Sequence, residues 1–491
     1  MQGHLCILLV VIPLFAAPIA AILPRGRLPW AAALIVTSVC FVLAGMQLWS
    51  VVQDGVVSYE LGGWAPPWGI EYRIDAVNAF MALIVSGIAA VTLPYALLSA
   101  EKEIPEHLIP LFYSAFLLCF TGLLGITLTG DIFNVFVFLE ISSLSSYALI
   151  SLGRKRQALT SAYQYLIMGT LGATFFLIGV GLIYSQTGTL NMVDLAARLP
   201  QVSSLNTIHT GFAFIITGIA LKLALFPLHL WLPNAYTYAP SVITLFLSAT
   251  ATKVAVYVML RILFSVFPSD FVSTTPTGDL FLLSGIAGII SASVYAIYQV
   301  DVKRLLAYSS VAQIGYIALG IGFASFTSLT ATLVHLFNHA LMKGALFMAI
   351  GSIIYRVGKC HMDSIHGLGR QMPWTFGAII VGGFSLIGVP GTAGFISKWY
   401  LVLTAIEQDS WISVVVILVG SLLAAVYIGK LIEALYFKPA VDSNPAVNEV
   451  PFSMLAPTWI LVLANIYFGL NTELTVGVAE HAIRVLGVTA E

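Results

Sequence analysis

The chain has 491 residues, 59% of them hydrophobic and only 9% charged, with a formal net charge of −1 and a mean hydropathy of +0.97. That composition excludes a soluble globular fold and describes a polytopic membrane protein, and the net charge gives no sign of a nucleic-acid partner, so none is expected. No Walker motif or strand-following GxGxxG is present, and Cys6, Cys40, Cys119 and Cys360 are scattered without metal-type spacing, so they read as packing residues and no cofactor is expected.

Apolar runs of about 20 residues place fourteen spans, near 3–23, 30–50, 75–98, 107–128, 131–152, 159–186, 209–231, 240–264, 278–299, 302–324, 327–355, 374–402, 411–436 and 451–470. The first has no basic region ahead of it and reads as a retained span rather than a cleaved signal. Gly62-Gly63 and Gly188-Thr189 mark connecting loops, and 439–451, with Asp442, Asn444 and Glu449, is a polar link before the last span. The odd-numbered connections hold Arg25, Arg27, Lys102, Arg154, Lys155, Arg156, Lys303, Arg304, Arg356, Lys359, Arg370 and Lys438, whereas the even-numbered ones hold little beyond Arg73 and Arg198. The positive-inside rule then makes the odd connections cytoplasmic and leaves both termini outside.

The expected fold is therefore all-α, with about 14 transmembrane helices. The sequence also carries a faint internal repeat. Ser142-Ser143 in EISSLSSYALI resembles Ser309-Ser310 in AYSSVAQIGYI, and the run ending at Tyr184 resembles the one ending at Tyr355. Each copy comprises five spans, an odd number, so the copies are inverted in the membrane and each contains a broken helix. The expected division is an N-terminal three-helix segment (1–100), a first repeat (107–264), a second repeat (278–436) and a final helix with a short tail (451–491).

Charges inside the spans carry the chemistry, because an ionisable side chain at that depth is costly and marks an ion path by default. Glu140 lies midway along span five, and Lys222 in LKLALFPLHLWLPNAYTYAP is its natural opposite charge. The pair reads as a proton site, with a structural carboxylate as the alternative. Pro227 breaks the helix five residues after Lys222, and freed carbonyls at that depth are tolerated only against protein or a water-filled cavity. Lys253 is deep in span eight, while Arg261 at its end reads as an interface anchor. His335, His339 and Lys343 are spaced i, i+4, i+8 and line one helix face, as a proton relay or as a set of interhelical hydrogen bonds. HxxxH lacks the adjacent Glu and a third ligand that zinc needs, so no metal is expected. Pro390 and Gly391 break span twelve just before Lys398, and Lys430 with Glu433 reads as an i, i+3 interface pair. Asp131, His229, Asp301 and Lys303 lie near span ends as anchors or entrance residues. Lysines dominate, which favours protons over a Na⁺ cage of oxygen ligands.

Glu140 in FLEISSLSSYALI, Lys222 with its break, Lys253, the HLFNHALMKG histidines and GVPGTAGFISKW together resemble the proton-translocating antiporter-like family, across spans four to thirteen. That family includes the large membrane-arm subunits of respiratory complex I and of Mrp-type Na⁺/H⁺ antiporters. The chain ending soon after span fourteen and the lysine at 398 resemble the D-type Mrp subunits. The resemblance implies a non-enzymatic, proton-translocating subunit that works with the other Mrp subunits in a hetero-oligomeric bacterial cell membrane complex. It implies that Glu140 pairs with Lys222, that Lys253 and the histidines relay protons, and that Lys398 is the exchange site of the other half-channel. A redox-driven pump of the complex I or membrane-bound hydrogenase type is the alternative.

Overall fold

The computed structural model describes residues 2–439 and 447–488, so Asp442 and Asn444 of the polar link lie outside the described residues. In chain order come α1 (Gln2–Ile22), α2 (Leu28–Asp54), β1 (Val57–Glu60), β2 (Glu71–Ile74), α3 (Ala76–Glu103), α4 (Ile109–Leu128), α5 (Ile132–Ser151), α6 (Arg156–Thr187) and α7 (Met192–Val202). They are followed by α8 (Asn206–Leu223), α9 (Trp231–Tyr238), α10 (Ser241–Ala249), α11 (Ala251–Arg261), α12 (Ser269–Thr274), α13 (Thr277–Ile297), α14 (Val302–Phe323) and α15 (Phe326–Val357). The last are α16 (Pro373–Ile387), α17 (Ala393–Glu407), α18 (Trp411–Ile432), α19 (Phe452–Leu470) and α20 (Glu473–Val485).

The molecule is an all-α polytopic membrane protein. Twelve helical segments among the described residues are long and apolar enough to cross a membrane. The interrupted segments α8–α9 and α16–α17 occupy the places of spans seven and twelve. Four elements outside the spans escape the hydropathy reading: the β1–β2 hairpin, α7 and α12 on the connections, and α20 after the last span. Their segments are too short or too polar to register in a window of membrane length.

Burial sorts the helices into an axis and a jacket. The α10–α11 window is 94% buried and the α14 window 89%, against 33% for α1 and 28% for α2. The jacket helices present Phe15, Ile22 and Trp49 on the outside, as expected of lipid-facing surface. Because lipid tails are as apolar as leucine, close packing rather than exclusion of water holds such helices together. The α6–α8 seam shows this: a Cβ on Gly218 would lie 2.5 Å from the Gly172 carbonyl oxygen, so only glycine permits the approach that brings α8 against α6.

Two further devices recur along the chain. Asp131 caps α5 by accepting from the Asn134 amide at 2.7 Å, and its backbone bridges to Asn191 beyond α6. Asp301 caps α14 in the same way from Arg304 at 3.1 Å, and bridges to His361 beyond α15. Both α11 and α18 pass into a single π-helical turn, at Ile262–Val266 and Glu433–Phe437.

The basic connections converge: Lys102, Arg154, Lys155, Lys303 and Lys359 line one cavity of about 160 Å³. A second cavity, of about 320 Å³, opens among the even-numbered connections between the hairpin side chain Arg73, α7 and the end of α20.

Two expected surface groupings are otherwise engaged. Lys430 donates to the carbonyls of Ile297 and Gln299 at 2.9 and 3.2 Å, while Glu433 pairs with Lys438 at 2.8 Å. The end of α13 supplies unpaired carbonyls within reach of Lys430, and a cation satisfies a helix C-terminus better than an exposed i, i+3 pair would. Arg261 is not an anchor: it forms a bidentate pair with Asp75 at 2.7 and 2.8 Å, both side chains nearly buried.

Candidate functional site: a buried line of bases between two broken helices

α8 ends because Ala224 adopts the left-handed conformation at φ 59° and Pro227 follows three residues later. This puts Lys222 in the last turn of α8, buried, with its Nζ donating to the Ser143 hydroxyl at 2.7 Å. Glu140, one turn before Ser143 on α5, places Oε1 3.6 Å from the same Nζ. At that distance the attraction is Coulombic, without a direct hydrogen bond, so a small movement of either side chain makes or breaks it. Ser142, Ser143, Ser146, Tyr165 and Lys222 line a void of about 20 Å³, room for a single water. The break itself is held by aromatic groups rather than left open: the Trp231 indole donates to the Leu221 carbonyl at 3.0 Å and stacks on Tyr165 at 4.0 Å. His229 is buried beside it, ring to ring with Phe226 at 5.2 Å.

The second break has different chemistry. Gly388 at φ 91° ends α16, the chain turns through Pro390 and Gly391, and α17 starts at Ala393. Lys398 reaches back and donates to the Leu386 and Ile387 carbonyls, both at 3.0 Å, and to the Ser421 hydroxyl at 3.1 Å. Its ammonium also lies 4.6 Å from the Tyr316 ring centroid. A cation thus sits at the negative end of a half-helix inside the bundle. Asn338 donates to the Ala393 carbonyl at 2.6 Å, and Ser385 bonds both Asn465 (2.9 Å) and the Gly394 amide (3.1 Å), which fixes the two half-helices against α15 and α19. A Cβ at Gly394 would lie 1.8 Å from the Ser385 carbonyl oxygen. Gly394→Ala is therefore expected to lower stability by about 3 kcal/mol, read as a fall in the thermal midpoint of the detergent-purified complex; an unchanged midpoint would mean that the break is not rigid.

α15 connects this second site to the middle of the bundle. His335 Nδ1 meets the Ser397 hydroxyl at 2.8 Å, next to Lys398, and its ring lies 6.0 Å from Tyr316. His339 stacks on His335 at 5.8 Å. Lys343 donates to the Ser309 hydroxyl at 2.5 Å and the Leu306 carbonyl at 2.8 Å. His335 Nε2 and both ring nitrogens of His339 are buried without a hydrogen-bond partner among the described residues. Free imidazole nitrogens in a buried row are groups to which water or a proton can bind. Lys253, on α11, bonds the Ser248 carbonyl exposed by the kink at Thr250 and interacts electrostatically with His335, His339 and Lys343. The other face of α11, through Ala251, Val254 and Ala255, lines the void at Lys222.

The structure thus brings Lys253, His335, His339, Lys343 and Lys398 into one buried row, with Glu140 and Lys222 across α11 from it. Sequence reading missed the partners of these groups: Ser143, Ser309, Tyr316, Ser397, Ser421 and Trp231. The two serine pairs were visible as repeat marks, and each supplies one hydroxyl to a buried lysine. Nothing one-dimensional pointed to the others.

The family model described as NADH:quinone oxidoreductase/Mrp antiporter, TM, matches residues 129–424, which contain every residue of the row. The chain is 40% identical to a protein of Desulforudis audaxviator named NADH-quinone oxidoreductase subunit N, over 98% of this chain and 99% of that one. It is 30% identical to the D-type Na⁺/H⁺ antiporter subunit of Alkalihalophilus pseudofirmus, over 88% of each. Among solved structures, a chain of the Mrp complex from Dietzia superposes with a TM-score of 0.91 at 26% identity, covering 99% of this chain and 97% of that one. The chain belongs to the NADH:quinone oxidoreductase/Mrp antiporter transmembrane family.

Proposed function

We propose that this chain is the proton-translocating subunit of a multisubunit secondary Na⁺/H⁺ antiporter, one component of a hetero-oligomeric complex in the bacterial cell membrane. The observation that carries the reading is the buried row of bases that starts at a lysine–carboxylate pair beside one broken helix and ends at a lysine capping the other. Lys222 exchanges its proton according to the distance of Glu140, and Lys253, His339 and His335 pass protons across the bundle to Lys398. The basic cavity faces the cytoplasm, and the five-helix units 107–264 and 278–436 are inverted half-channels; the matched Asp caps and bridges of the two units support this. The likeness to the D-type antiporter subunit and to a chain of the Mrp complex supports Na⁺ as the coupled ion and the other antiporter subunits as partners. On this reading the chain is a transporter and catalyses no reaction of its own.

The 40% identity to a protein named NADH-quinone oxidoreductase subunit N favours a second reading, in which the same row pumps protons inside a redox-driven complex. Everted vesicles from an antiporter-deficient host expressing the complete complex separate the two. Addition of Na⁺ to vesicles holding a ΔpH is expected to dequench an acridine dye. An assembled complex that ignores Na⁺ and acidifies the lumen only when a reduced electron donor is supplied would establish the second reading instead.

A further inference from the structure

Lys253, Tyr257 and Arg261 follow one another at i, i+4 and i+8 on α11, so one helix face joins the buried row to the face of the even-numbered connections. Tyr257 is buried, and its hydroxyl donates to the Thr127 carbonyl at 3.1 Å. The Arg261 Nε lies 3.4 Å from the same hydroxyl, its guanidinium carbon 5.4 Å from the tyrosine ring centroid, and its two terminal nitrogens hold Asp75. Burial by itself raises the Asp75 carboxyl, but the Arg261 charge and the Val77 and Asn78 amides outweigh it and hold the group below the usual carboxylate range. Tyr257, Arg261, Asp75, Asn78, Arg73 and Ser265 all line the 320 Å³ cavity, which is large enough for several waters. The π-helical turn directly after Arg261 redirects the helix at this mouth, a distortion common at functional positions.

We propose that this cavity is the water-filled mouth of a proton route that leaves the central row at Lys253 and runs past the Tyr257 hydroxyl and the Asp75–Arg261 pair. The proposal rests on the proton-translocating reading above. In the conformation described, the Lys253 ammonium is turned away, onto the Ser248 carbonyl, so the route connects when its flexible stem swings toward Tyr257. The ammonium then gives a proton to the Tyr257 hydroxyl oxygen as that hydroxyl releases its own proton to cavity water, leaving tyrosine unchanged and lysine neutral. The Asp75 carboxylate offsets the Arg261 charge beside the hydroxyl. Without its carboxylate, the Arg261 charge stands beside the hydroxyl and repels the proton.

Four variants test this in the complete complex. Tyr257→Phe keeps the ring and is expected to slow Na⁺-driven proton movement roughly tenfold or more. Asp75→Asn keeps the cap acceptor of α3 and is also expected to slow transport, whereas Asp75→Asn combined with Arg261→Gln restores it, because no unpaired cation then stands at the Tyr257 hydroxyl. A double variant as slow as the single one overturns the electrostatic role. Ala196→Cys lines the cavity without being a member of the relay, and the four native thiols are buried. A membrane-impermeant, cationic methanethiosulfonate is expected to modify the introduced thiol from one side of the membrane only and to block transport. Modification without block, or no modification from either side, overturns the route. Absence of any Na⁺ response in the unmodified parent would instead reject the antiporter reading.

Discussion

Glu140→Gln is expected to abolish Na⁺-driven proton movement while the complex still assembles, with a loss of about 100-fold or more in the initial dequenching rate. Among the described residues, the carboxylate is the only opposite charge within 4 Å of the buried Lys222 ammonium, and the glutamine retains its shape without its charge. Lys222 then keeps the Ser143 hydroxyl and loses the group whose approach and withdrawal set its protonation. Lys222→Ala is expected to be equally inactive. The decisive variant is Glu140→Gln combined with Lys222→Met, since removing both members of a largely buried pair is usually tolerated far better than removing one. That double variant is expected to match the parent in assembly and thermal midpoint and to remain inactive. If it transports at the parental rate, the pair is structural and the reading of span five as a proton site is wrong.

The second large effect is expected at Lys398, where two roles of the same ammonium can be separated. Lys398→Met leaves the Leu386 and Ile387 carbonyls buried at a helix end without their donor, at about 1–3 kcal/mol each, so both stability and transport are expected to fall. Lys398→Arg supplies donors to the same carbonyls and keeps a cation against the Tyr316 ring, but a guanidinium does not release its proton in a protein. The arginine variant is therefore expected to keep the parental thermal midpoint and to lose transport. Transport at the parental rate in Lys398→Arg would reduce Lys398 to a cap on a broken helix and move the end of the proton row to His335.

Much of the fold was legible before any coordinates, because the bilayer imposes its constraints locally. A run of some 20 apolar residues is long enough to cross whatever its neighbours are, so most of the spans placed on hydropathy lie close to the long helices found, the chief exception being span seven, where α8 stops at Leu223 and the helix resumes only at Trp231. The seven ionisable residues of the proposed proton path stood out for the same reason: Glu140, Lys222, Lys253, His335, His339, Lys343 and Lys398 lie in apolar stretches where charge is expensive. Pro227 and the Gly388–Gly391 stretch announced the breaks, since proline and left-handed glycine end helices by backbone geometry alone.

Whatever depends on which helix lies beside which was decided only in the tertiary structure. Arg261 read as an anchor because its partner, Asp75, is far away in sequence and meets it only through the packing of α3 on α11. Lys222 and Lys398 look alike as lysines next to a break, yet one faces a carboxylate and a serine while the other caps the carbonyls of its own broken helix. Trp231, Tyr316 and the serines that hold the ammonium groups are unremarkable residues in a membrane sequence, and their roles come from directed bonds made across helices. The sequence by itself therefore determined where the chain crosses the membrane and which charges it buries, because the energetic penalties involved act residue by residue. The partners of those charges, and the cavities among the connections, were decided by tertiary packing, because hydrogen bonds and ion pairs exist only between groups that the fold has brought within a few ångströms.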